Sequence, residues 1–504
     1  MRRAALCALG RGFIQPVSRS ITRRPNLLPK AVLATNQQRT LTQVSAADLQ
    51  FGQPLHETHP HLLKPGELTP GITALEYAER RANLARQLPT GSCAVLAASE
   101  LKFRSGAVFY EFGQDTDFYY LTGFMEPEAL AIIEKTGEGD EHTFHLYVRP
   151  KDEHAEKWEG FRSGVQAAED VFNADEAGDI TRISKFLPNI LRRSTTVYTD
   201  LPAPFNPSSP FGKYISGHTK SSSSGLPSLL SELSRSTLKP LRPLLNNLRI
   251  IKSPSEIACM RHAGQASGRA FTAAMRQAFK GEKDLWAFLA YKFKTNGCDG
   301  EAYVPVVAGG ANALSIHYVR NDALLDPKHL VLVDAGGSYG GYITDITRTW
   351  PVGGRFSDPQ RELYEVVLGV QRTCVSLCRA DARLSLDQIH RIAENGLKDA
   401  LKGLGFEMGS GDGVLNELFP HHLGHYLGLD IHDCPGYTRG KALVEGQVVT
   451  VEPGIYVPDD ERYPKAFRGI GIRIEDSVAV GEENPVLLTT EAVKEVVDIE
   501  ALRD

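Results

Sequence analysis

Four carboxylates and one imidazole, set inside short apolar stretches, constrain this chain more than any other feature. Asp334 and Asp345 lie in VLVDAGGSYGGYITDITRTW, His425 in HHLGHYLGLDIHD, Glu452 in VVTVEPGIY and Glu475 in GIRIEDSVAV. Three of these stretches carry the alternating or continuous apolar pattern of buried strands. An acid in such a strand is costly to bury unless it is paired or bound to a metal. Hard oxygen ligands with a single nitrogen suit two divalent cations, such as Mn, Co or Zn, better than one. A metal pair sharing carboxylates makes hydroxide near neutral pH and offsets charge developing on an attacked carbonyl, so the set points to hydrolysis.

Asp334 and Asp345 flank a Gly-rich turn, Gly336-Gly337-Ser338-Tyr339-Gly340-Gly341, and the segment reads as a β-hairpin. Opposed strands let both acids point from one face toward a common ion. Either Asp alone would more simply cap a turn. Five such residues, all in strand or strand-end contexts, are not explained that way.

A chain of 504 residues with 42% hydrophobic residues is long enough for two or three domains with full cores. No uninterrupted apolar run reaches membrane-spanning length. The seven cysteines are scattered and odd in number, which fits a reducing compartment better than a disulfide framework. Cys374 and Cys378 are one helical turn apart without a second pair, and read as packing residues. Residues 1–47 differ in kind: eight basic residues and no acid before Asp48, the composition of a mitochondrial presequence. A disordered basic tail that binds acidic partners is the competing reading. Without those eight charges the formal net charge falls from −5 to −13, which argues against nucleic-acid binding.

Along the chain, 73–88 has helical apolar spacing and predicts a surface helix. Strand-like and helical segments alternate to about residue 200. Residues 201–248 shift to Pro, Ser and Lys and read as an inter-domain linker, with a short helix at 226–233. Ser253-Pro254-Ser255-Glu256 is a capping box with Pro at the first helical position, and predicts a long helix to about Phe279.

The set D-x10-D, H-x6-H, T-V-E-P-G and R-I-E-D resembles the pita-bread metallopeptidases, which include methionine aminopeptidase, aminopeptidase P and prolidase. The match covers about residues 70–200 and 245–500. FGQDTDFYYLTGFMEPEALAII (112–133) and KWEGFRSGVQAAEDVFNADEA (157–177) look like the smaller N-terminal domain of aminopeptidase P. The resemblance is strongest to its mitochondrial branch, which includes the intermediate-cleaving peptidases. It implies an α/β (α+β) chain: a presequence (1–47), an aminopeptidase P-type α/β N-terminal domain (48–200), the linker (201–248) and a pita-bread catalytic domain (249–504). It implies two divalent ions, Mn2+ first, with Asp345 and Glu475 bridging, Asp334 on one ion, and His425 with Glu452 on the other. Glu452 would then act as general base.

By the same resemblance, His317 and His432 hydrogen-bond the substrate carbonyl and the tetrahedral intermediate. His421 shapes the site for the residue after the cleaved bond, and Tyr303 lines a proline pocket. Tyr456, four residues after Glu452, and Arg473, two before Glu475, match positions around the ligands, the arginine orienting an acid. Strand alternation is expected to turn Arg473 away from Glu475 unless the strand bends, so a surface position competes for it. The implied substrates are peptide and protein N-termini, without nucleic acid or an integral membrane segment; the oligomeric state, a homodimer included, stays open. The implied location is mitochondrial, in the matrix or associated with the inner membrane.

Two readings from other classes compete. An inactive pita-bread module binding RNA or ribosomes should have eroded ligands and basic insertions. A creatinase-like amidinohydrolase lacks the metal carboxylates. Within the peptidase reading, trimming of bulky N-terminal residues (Tyr, Phe or Leu) after presequence cleavage competes with Xaa-Pro cleavage.

Overall fold

The computed structural model describes residues 50–201, 210–216, 226, 227, 230, 238–409 and 411–504. Residues 1–47, read as a presequence, lie outside these. The N-terminal lobe is built on a six-stranded mixed sheet. Its strands are β1 (Cys93–Ala97), β2 (Leu130–Lys135), β3 (His142–Val148), β4 (Glu176–Asp179), β5 (Val197–Tyr198) and β6 (Leu238–Lys239), in the order β6-β5-β1-β2-β3-β4. β1 and β2 are buried along almost their whole length because both sheet faces are covered. On one face lies α1 (Ala74–Gln87), capped by Thr73 as its helical spacing predicts, beside α2 (Thr116–Thr122). On the other lies α3 (Ile183–Arg193), burying Ile183, Leu187, Ile190 and Leu191.

The 201–248 segment is more than a tether. Leu238–Lys239 adds the edge strand β6 in parallel to β5, and α4 (Arg242–Arg249) follows at once. Its Pro and Ser content concealed these because each is short and takes its partners from distant sequence. α5 (Pro254–Met275) begins with the expected capping box, Ser253 and Glu256 satisfying each other's backbone N–H groups. It ends four residues short of Phe279. There Gln277 N–H bonds back to the Ala274 carbonyl, a tightened last turn, and Gly281 already caps α6 (Glu282–Thr295).

The C-terminal lobe arranges short antiparallel strands over α5, α6, α7 (Asp358–Ser376) and α8 (Leu386–Gly403). β7 (Gly300–Glu301), β10 (Gly337–Tyr339) and β11 (Tyr342–Ile343) form one sheet. β8 (Val306–Gly309), β9 (Leu330–Asp334) and β12 (Thr347–Pro351) form a second. β13 (Val448–Val451), β16 (Asp476–Ala479) and β17 (Val486–Leu487) form a third, and β14 (Gly454–Tyr456) pairs with β15 (Gly471–Arg473). Both lobes share a core in which Tyr77, Phe118 and Tyr119 pack with Tyr342, Leu427 and Leu429. Across it, Tyr119 donates to the Gly340 carbonyl at 2.8 Å, and Arg80 to the Tyr342 hydroxyl at 3.1 Å. Cys374 and Cys378 are buried, and the six cysteines among the described residues carry free thiols. Among those residues no helix is long and apolar enough to cross a membrane.

Candidate metal centre

The hairpin between the two aspartates forms as expected, and its register explains the spacing. Asp334 pairs with Thr347 and Ser338 with Ile343, which places Asp345 opposite Gly336. Side chains directly opposed, or two residues apart on one strand, share a face, so both acids point the same way. The turn is Gly340-Gly341, both at positive φ (58° and 82°), as a two-residue hairpin loop requires. Gly336 must be small because a Cβ there would sit 1.9 Å from the Thr344 carbonyl oxygen.

The other three ligand candidates arrive from three further segments. The His425 carbonyl accepts from Thr450 N–H at 2.9 Å, and Glu452 N–H bonds the Leu423 carbonyl at 2.8 Å, so the His425 segment lies along β13. Glu475 sits between β15 and β16, its N–H on the Thr347 carbonyl at 3.0 Å. His425 Nε2 lies 3.5 Å from both Asp345 Oδ2 and Glu452 Oε1. Single ligand atoms of Asp345, His425 and Glu475 lie within 4.8 Å of one another. Asp334 joins through Tyr303, whose hydroxyl contacts Asp334 Oδ1 at 2.8 Å and Asp345 Oδ1 at 2.5 Å. All five residues are therefore gathered in one place.

The cluster holds more negative charge than its surroundings offset. Burial, then the neighbouring acids, push Glu475 well above the usual carboxylate range. Burial lifts Glu452 to about 7 against the pull of His425. Asp334 is raised by burial and by Asp345. Burial opposes the charging of His425, yet its contact with Asp345 and the field of Glu452 hold it up at about 9. Glu475 Oε2 accepts from Thr347 Oγ1 at 2.6 Å, while its Oε1 is buried without a hydrogen-bond partner among the described residues. A buried orphan oxygen among four carboxylates is what a cation-binding donor set looks like, and the hard donors fit divalent ions.

Arg473 is 1% exposed. It donates to Asp334 Oδ2 at 2.6 Å, the Tyr456 hydroxyl at 2.7 Å and Thr347 Oγ1 at 3.1 Å. This removes the surface reading, whose premise does not hold. Residues two apart on an extended strand face the same way, so Arg473 and Glu475 point together into the site. Tyr456, with its oxygen receiving Arg473, meets His421 Nε2 at 2.9 Å, and His421 Nδ1 lies 3.0 Å from the His422 carbonyl. The chain of donors leaves His421 protonated on Nδ1 and neutral. Burial, then the Arg473 charge, lowers it to about 3.

Tyr303 is closer to the ligands than a pocket wall, since its hydroxyl spans two of them. His317 and His432 are both exposed. Neither ring makes a hydrogen bond among the described residues. His432 stands edge-on to His425, ring centroids 4.5 Å apart. Its pKa is lowered by partial burial and then by the charge of His425. Sequence reasoning missed the residues that aim these groups. Thr347 and Thr450 bond ligand segments, and Glu282 bonds Gly309 N, Asn312, Tyr318 and Ala323 N of the loop bearing His317. The sequence signal for them is slight: Thr in otherwise apolar strands.

A cluster of four acids and one imidazole, on a lobe of short strands backed by helices, defines a divalent-metal hydrolase. Residues 258–482 match metallopeptidase family M24, and residues 77–198 match the aminopeptidase P N-terminal domain. Over 490 residues the chain is 48% identical to intermediate cleaving peptidase 55 of Saccharomyces cerevisiae, covering 97% of this chain and 96% of that protein. It is 36% identical to human Xaa-Pro aminopeptidase 3, covering 90% of each. The crystal structure of the yeast peptidase lacking its N-terminal 58 residues superposes with a TM-score of 0.79 at 47% identity, over 87% of this chain and 99% of that one. Escherichia coli aminopeptidase P gives 0.77 at 33% identity, over 86% and 98%. The chain belongs to metallopeptidase family M24, as a metal-dependent aminopeptidase with an aminopeptidase P-type N-terminal domain before a pita-bread catalytic domain.

Proposed function

We propose that this enzyme is a mitochondrial aminopeptidase that removes one residue, Tyr, Phe or Leu, from N-termini left by presequence cleavage. The observation that carries this reading is the 48% identity to the yeast intermediate cleaving peptidase across 97% of the chain. A plant relative, 35% identical over 90% of this chain, is described as mitochondrial, in keeping with the basic, acid-free residues 1–47. The domain plan that goes with this is 48–200 for the N-terminal domain and 249–504 for the catalytic one.

Asp334, Asp345, His425, Glu452 and Glu475 would hold two divalent ions, Mn2+ by preference, with Asp345 and Glu475 shared. Bound there, the ions would make water nucleophilic near neutral pH and withdraw charge from the scissile carbonyl. Glu452, steadied by Thr450 Oγ1 at 3.3 Å, takes a proton and hands it to the leaving amine. His432 and His317, with free ring N–H groups, donate to the carbonyl oxygen as negative charge develops on it. Arg473 and Tyr456 keep Asp334 and His421 in place. With the ions bound, the substrate's free α-amino group would lie near the open side of the metal pair, which would restrict cleavage to the terminal residue.

Comparing kcat/KM on a Tyr-Ser-initiated peptide and an Xaa-Pro peptide tests the substrate. The first should be favoured by about 10-fold or more, within what one pocket contact supplies. Preference for proline in the second position would instead favour the second reading, which rests on the 36% identity to Xaa-Pro aminopeptidase 3. His432→Ala should lower kcat by roughly 100-fold, the loss of one well-placed donor, with metal content unchanged. Metal content falling in step with activity would make His432 a ligand or a fold element.

A further inference from the structure

His432 has no hydrogen bond of its own among the described residues, so something else must fix where it points. The loop from Gly428 to Asp433 carries it, and that loop is tied down by side chains at the boundary between the lobes. Arg249, the last residue of α4, is 4% exposed and reaches both sides of the lobe boundary. On the α2 side its Nη1 donates to Thr116 Oγ1 at 3.1 Å and Asp117 Oδ1 at 2.6 Å. On the loop side its Nη2 donates to Asp430 Oδ2 at 2.8 Å and Asp433 Oδ1 at 2.6 Å. Thr116 Oγ1 itself donates to Asp430 Oδ2 at 2.8 Å, and the second oxygen of Asp433 takes buried Lys252 at 2.8 Å. Asp430 and Asp433 stand on either side of Ile431-His432.

The fixed points of this loop are thus Thr116 of the N-terminal lobe and Arg249 and Lys252 at the very start of the catalytic domain. The loop's own backbone bonds do less. The Gly428 carbonyl accepts from Ile343 N–H, Gly428 N–H closes on the Asp430 carbonyl, and Asp433 N–H returns to the Tyr426 carbonyl. These hold the ends and tighten the first turn. Among the described residues, only the Arg249 cluster anchors the Asp430 side chain from outside the loop. A planar guanidinium can hold three carboxylates and a hydroxyl at fixed angles, as Arg249 does, which an ammonium cannot.

We propose that Arg249 is a positioning residue that aims His432 at the reacting carbonyl and makes this aim depend on docking of the N-terminal lobe. The proposal rests on the role given above to His432. Outer-shell partners of this kind fix the orientation of the groups that touch substrate.

The test uses the full chain loaded with Mn2+ and a Tyr-Ser-initiated peptide, with Arg249→Met and Asp430→Asn each made alone and with His432→Ala. Arg249→Met should lower kcat by about 10-fold, with KM and metal content changed by less than about twofold. In the His432→Ala background the same change should cost less than about twofold, because the group being aimed is gone. Asp430→Asn, which leaves the other partners of Arg249 in place, should show the same pattern at about threefold. If Arg249→Met does not fold, Asp430→Asn alone decides the matter. An equal loss of kcat with and without His432, a change confined to KM, or no change in kcat overturns the clamp while leaving the role of His432 standing. A His432→Ala protein with full kcat overturns that role first, and the clamp with it.

Discussion

Asp345→Ala should cost more than about 100-fold in turnover, beyond the 10–100-fold typical when only a supporting partner of a metal ligand is lost. Asp345 is the hub of the cluster. Its carboxylate meets His425 on one side and Tyr303 on the other, within 4.8 Å of a Glu475 oxygen. Metal per chain should drop with activity. The metal-free protein should lose thermal stability as well, because the carboxylate that holds His425 charged and accepts from Tyr303 is gone and both are left buried without it. Retention of more than about 1% of turnover with full metal content would end the shared-ligand assignment.

Arg473→Met is the second large effect, and it should strike stability as well. The guanidinium is a permanent cation set among the acids. It is bound to Asp334, Tyr456 and Thr347, and its side chain is 2% exposed. Removing one member of a buried ion pair strands the other, a loss of about 3 kcal/mol or more. Thermal unfolding of the metal-free protein measures this. Turnover should fall by about 10–100-fold as Asp334 and His421 lose their orientation. Arg473→Lys keeps the charge but cannot reach Asp334, Tyr456 and Thr347 together, so it should recover stability better than turnover. Near-normal kcat in Arg473→Met would show that Asp334 needs no such partner.

Much of the site is legible without any fold, because burying an acid in an apolar strand has few physical explanations. Asp334, Glu452 and Glu475 each interrupt such a strand or end it, and Asp345 follows from its distance to Asp334 across a Gly-rich turn. Motif order then makes the family legible. What stays hidden depends on contacts between residues far apart in sequence. Arg249 is an ordinary helix-ending arginine until Asp117, Asp430 and Asp433 converge on it. Glu282 resembles any acid in a first helical turn, a place where acids are favoured anyway. The strand at Leu238–Lys239 is two residues long and exists only because β5 lies beside it. Arg473 differs from these. Its pattern is present in the sequence, and a period of two places it on the same face as Glu475, not the opposite one.

The hairpin between Asp334 and Asp345 also limits how this sequence can change. Its length cannot drift by one residue, because a single insertion in either strand would turn the following side chains to the opposite face and part the two acids. Growth at the tip is blocked as well. Gly340 lies against the Pro70 carbonyl, where a Cβ would come within 2.6 Å, and Gly341 lies against the ring of Tyr119. The spacing of ten residues is thus held at one end by chemistry and at the other by a neighbouring lobe. Loops elsewhere on the surface are free to lengthen or shorten over evolutionary time, but this one can be altered only together with the lobe that grips it.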